Sequence, residues 1–261
     1  MCLLFFSYMN HPEYWLVFAG NRDEFYDRPT KSLSLWNNGA DILAGRDLKA
    51  NGTWLGITKT GKFAAITNYR DPANDLLSYE DVPSRGNLVS EFLSGKKSAK
   101  KYLEYIETMG YRYKGFNLVL GDRDGFYYFS NRKEGIQLIK PGLYGLSNHL
   151  LNTPWPKVKK GLARFKELHK HKNEINTEDL FTMLKDRTRP PDVELPDTGV
   201  GLDRERLLSS MFIHSNNYGT RSSSVILFKT NGQVTFIERT YNYNRERIAG
   251  HKDIRNENFI S

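Results

Sequence analysis

The chain has 261 residues, 39% hydrophobic and 13% aromatic, enough apolar material for a core and too much for a disordered chain. Its single cysteine, Cys2, excludes an intrachain disulfide framework and a cysteine-cluster zinc site. The formal charge of +8 singles out no partner, because 30 Asp and Glu are interleaved with 38 Lys and Arg. No zinc-finger, RRM or helix-turn-helix pattern points to nucleic acid.

No run approaches the ~20 consecutive apolar residues of a membrane span. The apolar start, Met1 to Tyr8, lacks a basic flank and meets Asn10, His11 and Glu13 at once, so no secretory signal is expected. A protein of a reducing compartment, the cytoplasm, is the expectation.

In chain order, Leu3 to Tyr8 and Tyr14 to Ala19 read as a hairpin. A polar stretch from Asn21 to Pro29 and an irregular one to about Arg46 follow. Thr53 to Thr58 and Lys62 to Asn68 form a second hairpin around Thr60-Gly61. Tyr69 to Arg85, rich in Asp, Pro and Ser, reads as a long loop of the kind that shapes binding sites. Leu88, Val89, Phe92 and Leu93 mark one short helix, and Tyr102, Leu103 and Ile106 a second. Strands return at Phe116 to Leu120, Phe126 to Ser130 and Ile136 to Ile139.

A helix from Pro156 to about Lys170 places Val158, Leu162, Phe165 and Leu168 on its apolar stripe. Lys157, Lys160, Arg164 and Lys170 fall mostly off that stripe and read as a solvated face, and His169 and His171 as solvated neighbours. Thr177 is expected to cap a shorter helix, with Glu178 and Asp179 favouring its first turn. Arg187 to Gly201 reads as a second loop. Met211 to His214, Ser222 to Phe228 and Gln233 to Arg239 are expected strands, the last two joined by Thr230-Asn231-Gly232. The basic tail from Tyr241 reads as loosely held. Hairpins dominate and βαβ alternation is absent, so the expected class is α+β, antiparallel sheets covered by helices, in a single domain over residues 1–261.

Cys2 carries the chemistry. If the initiator Met is removed, the chain starts with a cysteine bearing both a thiol and a free α-amine. An α-amine has a pKa of ~8, so a fraction is neutral near pH 7 and accepts the thiol proton directly or through one water. Nucleophile and base then belong to one residue, and the matching reaction is acyl transfer. The hairpin brings Gly20-Asn21-Arg22-Asp23-Glu24 back toward Cys2. There an Arg could lower the thiol pKa or bind a substrate carboxylate, and a carboxylate could orient the amine. The six histidines show no metal-ligand spacing, and Gly52 and Gly56 around Trp54 suit turns and packing.

Met1-Cys2, Asn21-Arg22-Asp23-Glu24, Gly45-Arg46-Asp47, Gly52-Thr53-Trp54-Leu55-Gly56, Thr67-Asn68-Tyr69-Arg70, Ser84-Arg85-Gly86, Gly145-Leu146-Ser147-Asn148 and Tyr218-Gly219-Thr220-Arg221-Ser222-Ser223 occur in order. Together they resemble the NRDE family, named for its Asn-Arg-Asp-Glu motif and also called the transport and Golgi organization protein 2 family. That family is similar to N-terminal-nucleophile hydrolases of the choloylglycine hydrolase and penicillin V acylase type. The resemblance implies an αββα sandwich of two antiparallel sheets between helical layers. It makes Cys2 the nucleophile, Arg22 and Asp23 the second-strand pair, Asn68 and Asn148 the oxyanion donors, and Arg221 the late supporting Arg.

One departure matters. In those hydrolases two residues separate the Arg from the Asp. Here Arg22 and Asp23 are adjacent, so a regular strand points them to opposite faces. Unless a bulge intervenes, at most one faces Cys2, and Glu24 or Asn21 becomes the partner.

Two functional readings follow from the resemblance. In the first, the chain is a Cys N-terminal-nucleophile amidohydrolase or acyl hydrolase acting on C–N amide or thioester bonds, with no cofactor required and no metal. In the second, the same scaffold binds and moves haem, lipid or acyl-CoA without turnover, with Cys2 as a haem-iron ligand. Either way the partner is a small amide, acyl or haem-like molecule.

Overall fold

The computed structural model describes residues 2–36, 41–72, 82–169, 174–244 and 247–257, with side chains as far as residue 243. In chain order come β1 (Cys2–Tyr8), β2 (Tyr14–Phe25), β3 (Thr30–Leu35), β4 (Ile42–Asp47), β5 (Leu55–Thr58) and β6 (Phe63–Asn68). Two helices follow, α1 (Gly86–Ser94) and α2 (Ala99–Met109), then β7 (Phe116–Asp122), β8 (Gly125–Ser130), β9 (Gln137–Leu138) and β10 (Gly142–Leu146). Helices α3 (Pro156–Leu168), α4 (Thr177–Leu184) and α5 (Leu202–Leu208) precede β11 (Tyr218–Lys229), β12 (Val234–Asn244) and β13 (Arg247–Glu257).

The sequence reading takes residues 1–261 as a single domain. The backbone gathers into two compact units, one of residues 2–27, 141–147 and 151–257, the other of residues 28–140 and 148–150.

In the first unit six strands form a sheet in the order β10-β1-β2-β11-β12-β13, every pair antiparallel. The β1–β2 hairpin is the expected one. Helices α3 and α4 cover one face. Leu3, Phe5, Val17, Ala19, Val225, Leu227 and Ile237 from the strands meet Val158, Phe165, Leu180, Phe181 and Leu184 from the helices. Burying one such side chain contributes roughly 1.5–3 kcal/mol. Gly161 lets α3 approach closely, since a Cβ there would sit 2.0 Å from the Phe5 ring.

The second unit is a seven-stranded meander in the order β3-β4-β5-β6-β7-β8-β9. Helix α1 buries Leu88, Val89, Phe92 and Leu93, and α2 buries Tyr102, Leu103 and Ile106, the apolar faces read from the sequence. Lys62 Nζ closes the end of α1 by donating to the carbonyls of Phe92, Gly95 and Lys97.

Several expectations need correction. The stretch before Arg46 is not irregular: it forms β3 and β4, whose pairing shifts register between Lys31 and Ser34. The tail pairs with β12 as β13, held by main-chain hydrogen bonds that need no apolar pattern. Met211 to His214 is no strand and makes only a bridge, His214 to Gly219. Asn176, not Thr177, caps α4: its side-chain oxygen accepts the Glu178 N–H at 2.9 Å. Lys157 is not on a solvated face but is 6% exposed, its Nζ donating to the Leu208 carbonyl. His169 packs on Phe165, and burial lowers its pKa to about 4, so it is neutral. Lys170, His171 and residues 73–81 of the expected loop lie outside the described residues. Among those described, no helix is long and apolar enough to cross a membrane.

Candidate active site

Cys2 opens β1 directly opposite Arg22 of β2. Opposite residues of an antiparallel pair share a face, with Cβ atoms about 4.5–5.5 Å apart. Leu3 and Phe5 belong to the core under the helices, so alternation turns Cys2 to the other face of the sheet, and Arg22 with it. Glu24, two residues on, shares that face, its Oε2 3.8 Å from Arg22 Nη2. Glu24 Oε1 also accepts the Phe25 N–H at 2.9 Å, which fixes the carboxylate.

Asn21 and Asp23 point to the helix face, as their adjacency to Arg22 requires. Asn21 Nδ2 donates to the carbonyls of Leu184 at 2.9 Å and Met211 at 2.8 Å, and its Oδ1 accepts from Ser223 Oγ at 2.6 Å. Asp23 Oδ1 accepts from Thr220 Oγ1 at 2.7 Å. The four-residue motif thus divides by parity: Arg22 and Glu24 on the thiol's side, Asn21 and Asp23 on the other.

Arg221 reaches the thiol's face through a bulge. Thr220 pairs with Asp23 and Ser222 with Arg22, which leaves Arg221 as the extra residue of β11. Its Nη1 donates to the carbonyls of Phe25 at 2.8 Å and Tyr26 at 2.9 Å, bracing the end of β2. Burial lowers the Arg221 pKa, and repulsion from Arg22 lowers it further.

Burial pushes the Cys2 thiol up to about 11; Asp23 and Glu24 add to the rise and Arg22 opposes it. Near neutral pH the sulfur is therefore a thiol that needs a base. Burial also raises the Asp23 carboxyl above its ordinary 3.8, against the pull of Lys157, of the Thr220 hydrogen bond and of Arg22. A raised carboxyl favours the folded chain below the unfolded value and loses that contribution as pH rises through the folded one. Asp23→Asn is accordingly expected to raise the melting temperature at pH 7, and to converge with the parent as pH falls below the ordinary carboxyl range. Calorimetric melts across that range read the effect; a lower melting temperature for Asp23→Asn at pH 7 contradicts it.

The second unit brings together the other pair. Asn68 ends β6 and Asn148 follows β10. Asn148 Nδ2 donates to the Asn68 carbonyl at 3.0 Å, and the Asn148 carbonyl accepts the Arg70 N–H at 2.7 Å. The structure adds residues that sequence reasoning missed. Thr220 holds Asp23, Tyr243 donates to the Thr220 carbonyl at 2.5 Å, and Tyr241 donates to Ser223 Oγ at 3.1 Å. Thr220 and Ser223 stood inside a motif already noted; nothing in sequence marks the two tyrosines. Among the described residues no group of three or more His, Cys, Asp or Glu could hold a metal ion.

The fold has a counterpart among solved structures. The chain is similar to a solved structure described as a Caenorhabditis elegans N-acylethanolamine-hydrolyzing acid amidase (NAAA) ortholog, with TM-score 0.54 and 10% identity, covering 87% of this chain and 92% of that one. The α+β class and its antiparallel sheets are as expected. The particular family is fixed by sequence: the family model for Transport and Golgi organisation 2 matches residues 1–243, and the chain belongs to that family. It is 37% identical to the Transport and Golgi organization 2 homolog of Mus musculus over 92% of this chain and 93% of that protein. It is 30% identical to the Drosophila melanogaster Transport and Golgi organization protein 2 over 92% of each.

Proposed function

We propose that the chain is a cysteine N-terminal-nucleophile acyl hydrolase that cleaves a C–N amide or thioester bond. The observation that carries this reading is the register of β1 on β2, which sets Cys2 against Arg22 on one face, with Glu24 and the bulged Arg221 beside Arg22. A buried thiol of pKa about 11 is inert at neutral pH without a local base. Removal of Met1 supplies that base as the α-amine of Cys2 itself.

In this reading the amine takes the thiol proton as Sγ bonds to the substrate carbonyl carbon. The oxyanion that forms is the kind of charge that amide N–H groups stabilise. The tetrahedral intermediate collapses, the C–N or C–S bond breaks, and the ammonium protonates the leaving group. Water, deprotonated by the same amine, then releases the acid and restores the thiol. Arg22 stabilises the thiolate or holds a substrate carboxylate, Glu24 keeps it in place, and Arg221 braces the end of β2. Asp23, on the far face, positions β2 and does not touch substrate.

Intact-mass analysis of the full chain before and after an acylating thiol probe tests the proposal. The expected result is loss of Met1 and a single adduct, absent in Cys2→Ser. Retained Met1 with no labelling overturns it. Saturable binding of haemin or acyl-CoA without any acyl-enzyme would make the chain a carrier instead.

A further inference from the structure

A groove of about 380 Å³ runs along the β3–β4 pair of the second unit, with Lys31 and Arg46 in its lining. Arg46 belongs to Gly45-Arg46-Asp47, a motif that the proposed reaction does not use. Cys2, Arg22, Glu24 and Arg221 take no part in the groove, so its ligand is independent of the hydrolase reading.

Lys31 and Arg46 stand directly opposite each other in the antiparallel pair. Opposite residues share a face of the sheet, and like charges placed so destabilise the pairing. Nothing in the chain relieves them. Among the described residues no carboxylate lines the groove, and neither cation makes an ion pair. Asp47, next along β4, is already engaged: Oδ2 accepts from Arg28 Nε at 3.0 Å, and Oδ1 accepts the Lys49 and Ala50 N–H groups at 2.9 and 3.0 Å. Asp41, before β4, pairs with Lys59 at 3.6 Å.

Arg46 is also held in place. The Trp36 ring is fixed by its indole N–H, which donates to the Ala44 carbonyl at 3.1 Å, and the Arg46 guanidinium lies over that ring at 4.7 Å. Arg46 Nε donates to the Asn51 carbonyl at 3.4 Å. Neither Nη has a partner among the described residues, which leaves an oriented fork of donors. Beside the cations, Leu35 and Leu48 line the same groove while 40% and 50% exposed.

We propose that this groove binds a small monocarboxylate with an apolar body, its carboxylate bridging Lys31 and Arg46. One anion between the two cations removes their repulsion. The Arg46 fork takes both carboxylate oxygens, and the Lys31 ammonium adds a point charge. The body of the ligand covers Leu35 and Leu48, and the volume suits a molecule of this size.

Isothermal titration of the full chain at low salt tests the proposal with phenylacetate, with 2-phenylethanol, which keeps the body without the charge, and with acetate, which keeps the charge without the body. Phenylacetate is expected to saturate at or below millimolar concentration, to bind at least about ten-fold tighter than either analogue, and to weaken as salt rises. K31E sets a carboxylate of the chain's own opposite Arg46. It should lose about ten-fold or more in affinity while melting at or above the parent temperature. If K31E fails to fold, K31Q and R46Q tested singly should each lose part of the affinity. No saturable heat with millimolar phenylacetate, equal affinity for either analogue, tighter binding of inorganic phosphate, or undiminished binding in the variants overturns it.

Discussion

Asn21→Leu is expected to destabilise the chain by about 3 kcal/mol or more, whatever the state of the thiol. Asn21 is fully buried, and its side chain makes three hydrogen bonds on the helix face of β2. The carbonyl of Leu184 is the last of α4, one of the acceptors a helix cannot satisfy internally, and Met211 lies in irregular chain. Leucine has a similar volume but no donor. It would leave two buried carbonyls unmet, and the Ser223 hydroxyl, itself bonded by Tyr241, would lose its acceptor. Each unmet buried group costs about 1–3 kcal/mol. Urea unfolding reads the effect as a lower midpoint at unchanged slope. An unchanged midpoint would mean that Asn21 does not tie α4 to the sheet. The first letter of the Asn-Arg-Asp-Glu motif is thus structural, although it sits beside the residue that faces Cys2.

That division was legible in sequence because strand parity is a hard rule. Once β1 and β2 were read as a hairpin, adjacent Arg22 and Asp23 had to face opposite ways, and the structure sends them so. Helices α1 and α2 were legible because their apolar residues recur at helical spacing and are buried as read. Arg221 was legible as a residue but not as a geometry. Its place depends on a bulge that no glycine marks, an extra residue recognisable only from the pairing of Thr220 and Ser222. Strands β3 and β4 were missed because β3 is partly exposed and mixes Lys and Ser among its leucines. Lys157 was misread because helical periodicity ranks side chains by hydrophobicity, whereas the Leu208 carbonyl offers a buried amine a partner that no periodicity records.

Alkylation of Cys2 by iodoacetamide, in protein that keeps Met1, is expected to climb about ten-fold per pH unit and level off near pH 11, the value to which burial pushes the thiol. The ordinary thiol would level off near 8.5. Because only the thiolate reacts, Arg22→Met should slow the reaction at pH 8, since the guanidinium opposes the rise, and the difference should vanish once the parent thiol is fully ionised. Glu24→Gln should act in the opposite direction, because its carboxylate adds to the rise. Removing Met1 should add a second feature near pH 8, where the new α-amine loses its proton and can take the one on sulfur. Mass spectrometry of the labelled chain at fixed times yields all four profiles. A plateau near 8.5 with Met1 in place would show that the thiol is not desolvated. Coincident profiles with and without Met1 would show that the amine does not act on it, and the nucleophile would then have no base on its own residue.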